Sequence, residues 1–270
     1  MHKILFTDLD GTLLNNDSKI SASMKHSLEQ MTLAGHILCL SSGRPLNSIL
    51  EVKENAGIHY PGVYIIANNG SLIYDCDNQK TIHETRVTLD DVKNVWNIAA
   101  KNKIHIQTYT DDAVIAPCED AEISVYRSRI HLPLILSDQP WMIMEKPPFK
   151  MLAIDLYEKQ HLISFSDAVS QECGNSLTTI FSNDRYLEIF SSSAGKGTGL
   201  LWLCQYLSIP ISHSVACGDA LNDLSMLQAA GTSVAMKNGD PVLKQSADVT
   251  TAKTNEENGL IDIIEQYIMH

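Results

Sequence analysis

The stretch Ile4-Leu5-Phe6-Thr7-Asp8-Leu9-Asp10-Gly11-Thr12 decides how the fold is interpreted, because an apolar run leads directly into two acids. The run Lys3–Thr7 predicts a buried strand. On a strand, residues i and i+2 share a face, so Asp8 and Asp10 can point together. The carboxyl end of a strand is where α/β sheets place their sites, and Gly11 lets the chain turn away at once. The stretch therefore predicts an acidic site at the end of a first parallel strand.

Two other interpretations of this stretch are weaker. One is a solvated turn, but two acids on one face at the end of a buried strand repel each other by about 4 kcal/mol at about 4 Å and an effective dielectric near 20, so a cation should offset them. A calcium loop of the EF-hand type needs glycine at loop position six and further oxygen ligands before it. Here glycine comes fourth and a strand precedes the acids, which excludes that loop.

Strand and helix patterns alternate after this stretch. A helical pattern over Ser21–Ala34 leads to a second strand at Ile37–Leu40, and a further helix precedes a third strand at Val63–Ala67. Proline is favoured at a first helical position, which predicts that this helix runs from Pro45 to Val52. Such alternation predicts βαβ units and a parallel sheet with both faces covered. It returns near the C-terminus, with helices predicted at Thr198–Leu207, Asn222–Ala230 and Gly259–Ile268 and strands at Ser214–Cys217, Ser233–Ala235 and Asp248–Thr250.

The middle of the chain has an α+β pattern instead. A boundary near Thr81–Arg86 and a small polar stretch at Ser191–Gly195 delimit it. A strand is predicted at Leu72–Tyr74, just before this boundary. The elements predicted after it are strands at Ile104–Thr108, Val114–Ala116, Lys150–Ile154, Thr178–Phe181 and Leu187–Phe190 and helices at Asp90–Asn102 and Lys159–Cys173. We therefore predict an α/β fold: a Rossmann-like parallel-sheet core of residues 1–84 and 190–270, interrupted by an inserted α+β domain at residues 85–189.

Composition excludes several classes of partner. The 270 residues carry 20 Lys and Arg against 32 Asp and Glu, a formal net charge of −12. Nucleic acids and anionic membranes need clustered cations, so neither is expected as the main partner. The sequence contains no run of about 18 apolar residues and begins without a signal-peptide pattern, which favours a cytoplasmic protein. The six cysteines are scattered without a Cys-x-x-Cys pair, so a structural zinc site is not expected.

Three further stretches place polar residues between a predicted strand and a helix. They are Ser41-Ser42-Gly43-Arg44-Pro45, Gly195-Lys196-Gly197-Thr198-Gly199 and Gly218-Asp219-Ala220-Leu221-Asn222-Asp223. A hydroxyl, a glycine N–H and a helix N-terminus together form an anion site, although each stretch taken singly is also ordinary capping or surface chemistry. On a helix, Asp219 and Asp223 would be neighbours on one face.

The joint placement of these stretches carries more information than any one of them. The carboxyl ends of parallel strands share one edge of a sheet. We therefore expect Asp8, Asp10, Asp219 and Asp223 to converge there with Lys196. Four carboxylates and one lysine call for a divalent cation, and oxygen ligands without His or Cys favour Mg²⁺ over Zn²⁺.

Taken together, these motifs resemble the haloacid dehalogenase superfamily of phosphatases, in its type-IIB, Cof-like branch. The resemblance is carried, in the order of that family, by Asp8–Leu14, Ser42–Pro45, Asn69-Gly70, Leu187–Ile189 with Lys196–Thr198, and Gly218–Asp223. It spans nearly the whole chain, and the insertion between the second and third motifs fits the cap domain of that branch. Serine at position 42 stands where threonine is common and keeps the hydroxyl.

The resemblance implies a role for each motif residue. Asp8 is the nucleophile that forms an aspartyl-phosphate, and Asp10 is the general acid and then the base for the hydrolytic water. Mg²⁺ is held by Asp8, by the backbone carbonyl of Asp10 and by Asp219. Asp223 positions Lys196 or completes the outer metal shell. The groups implied to hold the phosphoryl oxygens are Ser42, the Gly43 N–H, Lys196 and Asn222, with Thr12 and Arg44 in support.

The implied function is a Mg²⁺-dependent phosphatase for small phosphorylated metabolites such as sugar phosphates. Arg127–His131 in the inserted domain is either a contact for an anionic leaving group or a solvated basic patch.

Two alternative functions stay open. A phosphomutase of the same superfamily would share the motifs, and a phospho-aspartate signalling module would also place acids at strand ends. Asp10 argues against the signalling module, because a general base beside the nucleophile speeds hydrolysis. Protein partners are not predicted.

Overall fold

The computed structural model describes residues 2–128 and 132–270. Within them the strands are β1 (Ile4–Thr7), β2 (Ile37–Ser41), β3 (Val63–Ala67), β4 (Leu72–Asp75), β5 (Lys80–Glu84), β6 (His105–Tyr109), β7 (Val114–Ala116), β8 (Leu134–Leu136), β9 (Lys150–Ile154), β10 (Leu177–Asn183), β11 (Tyr186–Ser191), β12 (Ser214–Gly218), β13 (Thr232–Ala235) and β14 (Val249–Thr250). The α-helices are α1 (Ala22–Leu33), α2 (Leu46–Asn55), α3 (Leu89–Asn102), α4 (Ala121–Arg127), α5 (Lys159–Cys173), α6 (Lys196–Tyr206), α7 (Leu224–Ala229), α8 (Pro241–Ser246) and α9 (Leu260–Ile263). None of these helices combines the length and the apolar composition that crossing a membrane requires.

The chain divides into two compact units, of which the core unit comprises Met1–Glu84 and Ala194–His270. Its sheet has the strand order β14-β13-β12-β1-β2-β3-β4-β5. The strands from β14 to β3 are parallel, and β4 and β5 are added as an antiparallel hairpin. Because β12, β1 and β2 are parallel neighbours, their carboxyl ends meet at one edge and their amino ends at the other. The predicted parallel-sheet core is confirmed.

Apolar burial on both faces holds β1 at the centre of this sheet. All four residues of β1 are buried, and Ile4 and Phe6 pack with Leu200 and Leu203 of α6. Full burial of such side chains stabilises a fold by roughly 1.5–3 kcal/mol each. Helix α1 begins where the Ser21 hydroxyl accepts a hydrogen bond from the N–H of Met24, which satisfies one of the free N–H groups of its first turn.

The second unit comprises Thr85–Ser193, and its sheet has the order β10-β11-β9-β6-β7-β8. Helices α3 and α5 supply the apolar side chains that pack with those of β6, β9 and β11, including Trp96 and Phe165. The inserted segment therefore has its own core and the expected α+β composition. Strand β11 continues to Ser191, so the division from the core unit falls between Ser193 and Ala194 rather than at residue 190.

Several local predictions are corrected by the structure. Pro45 is the N-cap of α2, with extended backbone, instead of its first helical residue. The helix predicted over Asn222–Ala230 begins only at Leu224, after a short 3₁₀ turn at Leu221–Asp223. Consequently Asp219 and Asp223 do not lie on one helix. The strands and α-helices that were not predicted are β5, α4, β8 and α8.

One close backbone approach ties α6 to the end of β3. Gly70 has φ +97°, and a methyl group at this position would overlap the carbonyl of Gly195. Gly62 is a matched control, because it has φ +77° but its nearest neighbour would lie 3.7 Å from a methyl group.

We expect Gly70→Ala to lower the free energy of unfolding more than Gly62→Ala does. The left-handed backbone costs alanine roughly 1–2 kcal/mol in both variants. The steric overlap at Gly70 adds roughly 1–3 kcal/mol. Urea denaturation measures both losses. Equal losses in the two variants would contradict the close approach.

Candidate active site

Asp8 is held at the carboxyl edge of the core sheet by its own backbone. Its N–H donates to the carbonyl of Cys217 at 3.0 Å, which continues the pairing of β1 with β12 beyond the end of the strand. Its carbonyl accepts a hydrogen bond from the N–H of Leu13 at 3.3 Å. The residue is 7% exposed. The carboxylate therefore has a fixed position with restricted access to water.

Lys196 is the buried cation of this site. It is the first residue of α6, its side chain is 0% exposed, and its Nζ donates to Asp8 Oδ1 at 2.6 Å and to Asp223 Oδ1 at 2.5 Å. A buried ammonium group is costly unless carboxylates pair with it. Although burial opposes its charge, Asp223 and Asp8 raise the pKa of Lys196 above its ordinary value, so it stays protonated.

Burial also affects the protonation of Asp8, the acid that faces Lys196. It raises the pKa of Asp8 to about 8, against the attraction of Lys196 and with further upward shifts from the charges of Asp223 and Asp219. Desolvation penalises an isolated carboxylate, and only a nearby cation compensates for it. Asp8 therefore depends on positive charge at this edge to be an anion at neutral pH.

Asp223 ties the loop after β12 to Lys196. Its Oδ2 accepts hydrogen bonds from the N–H groups of Asp219 at 3.0 Å and Ala220 at 3.1 Å, while Oδ1 accepts from Lys196. Both carboxylate oxygens thus have donors, and the side chain is fully buried. This geometry makes Asp223 a positioning residue for the loop and for the lysine.

Asp219 lies across the site from Lys196, beside the turn that follows Asp10. Its Oδ1 accepts a hydrogen bond from the hydroxyl of Thr12 at 2.7 Å. Gly11 has φ +81°, and a side chain at this position would overlap the Asp219 carboxylate. Burial raises the pKa of Asp219 to about 6. A glycine is therefore required where the turn passes this carboxylate.

The acids of this edge fit a hard divalent cation. Carboxylate oxygens of Asp8, Asp219 and Asp223 all lie within 4.8 Å of one another, and in the described part of the chain no other set of three His, Cys, Asp or Glu side chains converges in this way. An all-oxygen donor set is the kind that Mg²⁺ prefers. Because both oxygens of Asp223 already accept hydrogen bonds, Asp8 and Asp219 are the better placed ligands.

The side chain of Asp10 lies outside this cluster, so the expectation that four carboxylates converge is wrong. Asp10 pairs instead with Arg44: Nε donates to Oδ2 at 2.7 Å and Nη2 to Oδ1 at 2.5 Å. The Asp10 side chain is 55% exposed. Strand β1 ends at Thr7, so the alternation that would align Asp10 with Asp8 no longer applies.

Asn69 was not predicted as a site residue, but it contacts Ser42, Gly43 and Asn222. Ser42 is buried, its N–H continues the β2–β3 ladder, and its carbonyl accepts the N–H of Asn69 at 3.1 Å. Asn222 Nδ2 donates to Asn69 Oδ1 at 3.5 Å, and a side chain at Gly43 would overlap the Asn69 amide. Asn69 is buried with left-handed backbone, φ 54°. The sequence feature that could have identified Asn69 is its position just after β3, because the other motif residues also follow their strands.

The candidate contact in the inserted domain is only partly described. Arg127 ends α4 in the second unit, and Ser128 is the C-cap of that helix. Arg129, Ile130 and His131 lie outside the described residues. The choice between a substrate contact and a solvated basic patch therefore remains a prediction.

Comparison with known proteins gives consistent similarities. Residues 5–264 match the family described as haloacid dehalogenase-like hydrolase. The chain is 27% identical to the phosphatase YwpJ of Bacillus subtilis, covering 98% of this chain and 100% of that protein. It is also 27% identical to the 5-amino-6-(5-phospho-D-ribitylamino)uracil phosphatase YitU of Bacillus subtilis, covering 98% and 97%. A haloacid dehalogenase-like hydrolase from Bacteroides thetaiotaomicron has a similar structure, with a TM-score of 0.83, 25% identity and coverage of 98% and 99%.

Proposed function

Because the chain belongs to the family of haloacid dehalogenase-like hydrolases and is a phosphatase, we propose that it hydrolyses small phosphorylated metabolites through an aspartyl-phosphate on Asp8. The observation that carries this proposal is the buried pair of Asp8 and Lys196 beside Asp219. A carboxylate that accepts a phosphoryl group splits one difficult hydrolysis into two easier steps. The buried cation beside it lets that carboxylate approach an anionic substrate.

The first step transfers the phosphoryl group to the protein. An Asp8 carboxylate oxygen bonds to phosphorus while the bond from phosphorus to the ester oxygen breaks. The leaving oxygen takes a proton from Asp10, which must first exchange its pair with Arg44 for that proton. In the second step Asp10 takes a proton from water, whose oxygen attacks phosphorus and releases Asp8 and inorganic phosphate. General acid and base assistance of this kind contributes about 10²–10⁴-fold.

The remaining groups hold the charge of the phosphoryl group. Lys196, the Ser42 hydroxyl, the Gly43 N–H and the Asn222 amide would donate to its oxygens. Phosphoryl transfer depends mainly on such positioning and charge neutralisation. A Mg²⁺ ion held by Asp8, Asp219 and the carbonyl of Asp10 would supply further neutralisation of negative charge. Thr12 orients Asp219 for this purpose, and Asp223 keeps Lys196 in place.

The leaving group gives a separate test of Asp10. We expect Asp10→Asn to lower kcat by about 10²–10⁴-fold for a sugar phosphate, whose alkoxide must be protonated as it leaves. The loss in the phosphorylation step should be much smaller for p-nitrophenyl phosphate, because its leaving group departs without a proton. Rapid-quench measurement of p-nitrophenol release in the first turnover gives this comparison.

The control for this prediction is Asp17→Asn, since Asp17 is an exposed acid of the same unit. It should leave both substrates unaffected. An Asp10→Asn enzyme that loses the same factor with both leaving groups in the first-turnover phosphorylation step would contradict the role of general acid.

The substrate is proposed to be a phosphorylated sugar or a similar small metabolite. YitU is named for an ester of this kind, a phosphorylated ribityl chain on a uracil ring. The second unit is proposed to act as the substrate-specificity domain, since it carries none of the residues assigned to phosphoryl transfer. The net charge of −12 also disfavours nucleic acids as substrates.

The experiment that tests the proposal measures phosphate release from an aryl phosphate, hexose and pentose phosphates and flavin mononucleotide. Each substrate is run with Mg²⁺ and with excess chelator. Release that requires Mg²⁺ supports the proposal. Isomerised sugar phosphate without free phosphate would indicate a mutase, and a long-lived phosphoprotein would indicate a signalling module.

A further inference from the structure

A basic cavity of about 520 Å³ lies at the opposite edge of the core sheet from Asp8. Its lining includes five basic side chains: His2, Lys3, His36, His213 and His270. These include four of the ten histidines of the chain. Its size suits a small ligand. None of its lining residues takes part in the proposed hydrolysis.

The topology of the sheet explains why these residues meet. Lys3 directly precedes β1, His36 directly precedes β2, and His213 directly precedes β12. The amino ends of these parallel neighbours share one edge, just as their carboxyl ends share the edge with Asp8. Strands of four or five residues at about 3.3 Å per residue separate the two edges by roughly 15 Å. The cavity is therefore distinct from the catalytic cluster.

The cavity concentrates positive charge in an acidic protein. No acidic side chain is among the described residues that line it. The Lys3 ammonium donates to the carbonyl of Tyr267 at 2.8 Å, which fixes its position but leaves its charge uncompensated by a side-chain carboxylate. Burial, together with the charges of Lys3 and His2, lowers the pKa of His36. An anion bound here would therefore compensate positive charge that no acidic side chain of the lining offsets.

Hydrogen bonds fix the tautomers of two of these imidazoles, and the neutral His36 ring keeps its Nε2–H as a donor. His36 Nδ1 accepts the N–H of Lys3 at 3.1 Å, so the proton of the neutral ring is carried by Nε2. His2 Nδ1 lies 2.5 Å from the carbonyl of Gly35, to which it must donate. A metal would need unprotonated ring nitrogens that converge, and in the described residues only Asp8, Asp219 and Asp223 form a converging group. The donor set thus favours an anion over a metal ion.

We propose that this cavity is a second ligand site, for a small phosphate-bearing anion. A tetrahedral oxyanion offers several acceptor oxygens to donors that surround it, and charge-assisted hydrogen bonds from imidazolium and ammonium groups are the strong kind. Binding should tighten as pH falls, since a protonated imidazole adds positive charge beside the anion. The basic side chains that face the cavity are His2, His36, His213, His270 and Lys3.

The test follows the histidine ring signals by NMR while inorganic phosphate is added at pH 6.5 and constant ionic strength, with chloride as the reference salt. The catalytic cluster contains no histidine, so phosphate bound there does not report directly on these rings. We expect saturable shifts of the His36 and His213 signals with one common Kd, and a rise in the pKa of His36. Shifts that are absent, or that chloride reproduces, would overturn the proposal.

Two variants separate the cavity from general effects. His36→Gln and His213→Gln should each weaken phosphate binding, measured on the remaining ring signals, by about tenfold. His161→Gln, at an exposed histidine of the second unit, should not change it. Phosphatase activity should be retained in all three variants. Unchanged affinity in both cavity variants, or saturation by micromolar Zn²⁺ without any response to phosphate, would overturn the proposal.

Discussion

Replacing Asp8 by Asn is expected to lower kcat by about 10⁴-fold or more, since losing the proposed nucleophile removes the path of the proposed covalent mechanism. The amide has the shape of the carboxylate but does not form the acyl phosphate. Phosphate release with Mg²⁺ measures the loss. Acid quenching during turnover should trap a hydroxylamine-sensitive phosphoprotein in the wild type and none in the variant.

The Asp8→Asn variant should remain folded. The introduced amide fills the same space as the carboxylate, and Lys196 keeps its pair with Asp223 at 2.5 Å. A thermal unfolding midpoint within a few degrees of wild type separates loss of chemistry from loss of structure. Asp17→Asn serves again as the exposed control. Phosphate release that persists in Asp8→Asn would show that another group accepts the phosphoryl group.

Replacing Lys196 by Met is expected to cost both activity and stability. Removing one partner of a buried ion pair typically costs about 3–5 kcal/mol, because the acids left behind are buried without compensation. Here two acids, Asp8 and Asp223, lose their cation at once. Urea denaturation should show this loss, and the proposed hydrolysis should fall below detection because the phosphoryl charge is no longer neutralised.

Two companion variants sharpen this prediction. Lys101→Met removes an exposed ion pair with Glu172 and should change the free energy of unfolding by less than about 1 kcal/mol. Adding Asp223→Asn to Lys196→Met should restore part of the stability, because one uncompensated charge is removed. A Lys196→Met variant as stable as Lys101→Met would contradict the buried network.

The carboxyl edge of the core sheet was predictable from local sequence. Apolar runs identified β1, β2 and β12, and the rule that parallel strands share an edge then joined residues as distant as Asp8, Ser42 and Asp219. The buried contact between Asp8 and Lys196 was also inferable, because the acids needed a cation and few lysines follow a strand. These inferences need only strand identity and sheet direction.

The parts that could not be predicted depend on tertiary contacts or on weak periodicity. The pairing of Asp10 with Arg44 joins positions 34 residues apart, and the strand pattern at Asp8 suggested a different neighbour. Asn69 is defined by its left-handed backbone and its contact with Asn222, which no periodicity reveals. Strand β5 is mostly exposed, so it lacks the apolar pattern that identifies a strand.

The inserted segment leaves and rejoins the core at neighbouring points. This arrangement affects how proteins of this family diverge. The chain leaves the core after Glu84, which pairs with Leu72, and returns at Ala194, next to Gly195, whose carbonyl meets Gly70. Departure and return are thus anchored two residues apart on one stretch of core backbone. Segments are exchanged most readily where the ends of an insertion lie close together. If the second unit acts as the proposed substrate-specificity domain, exchanging the inserted segment would change the substrate and leave the residues proposed for hydrolysis in place.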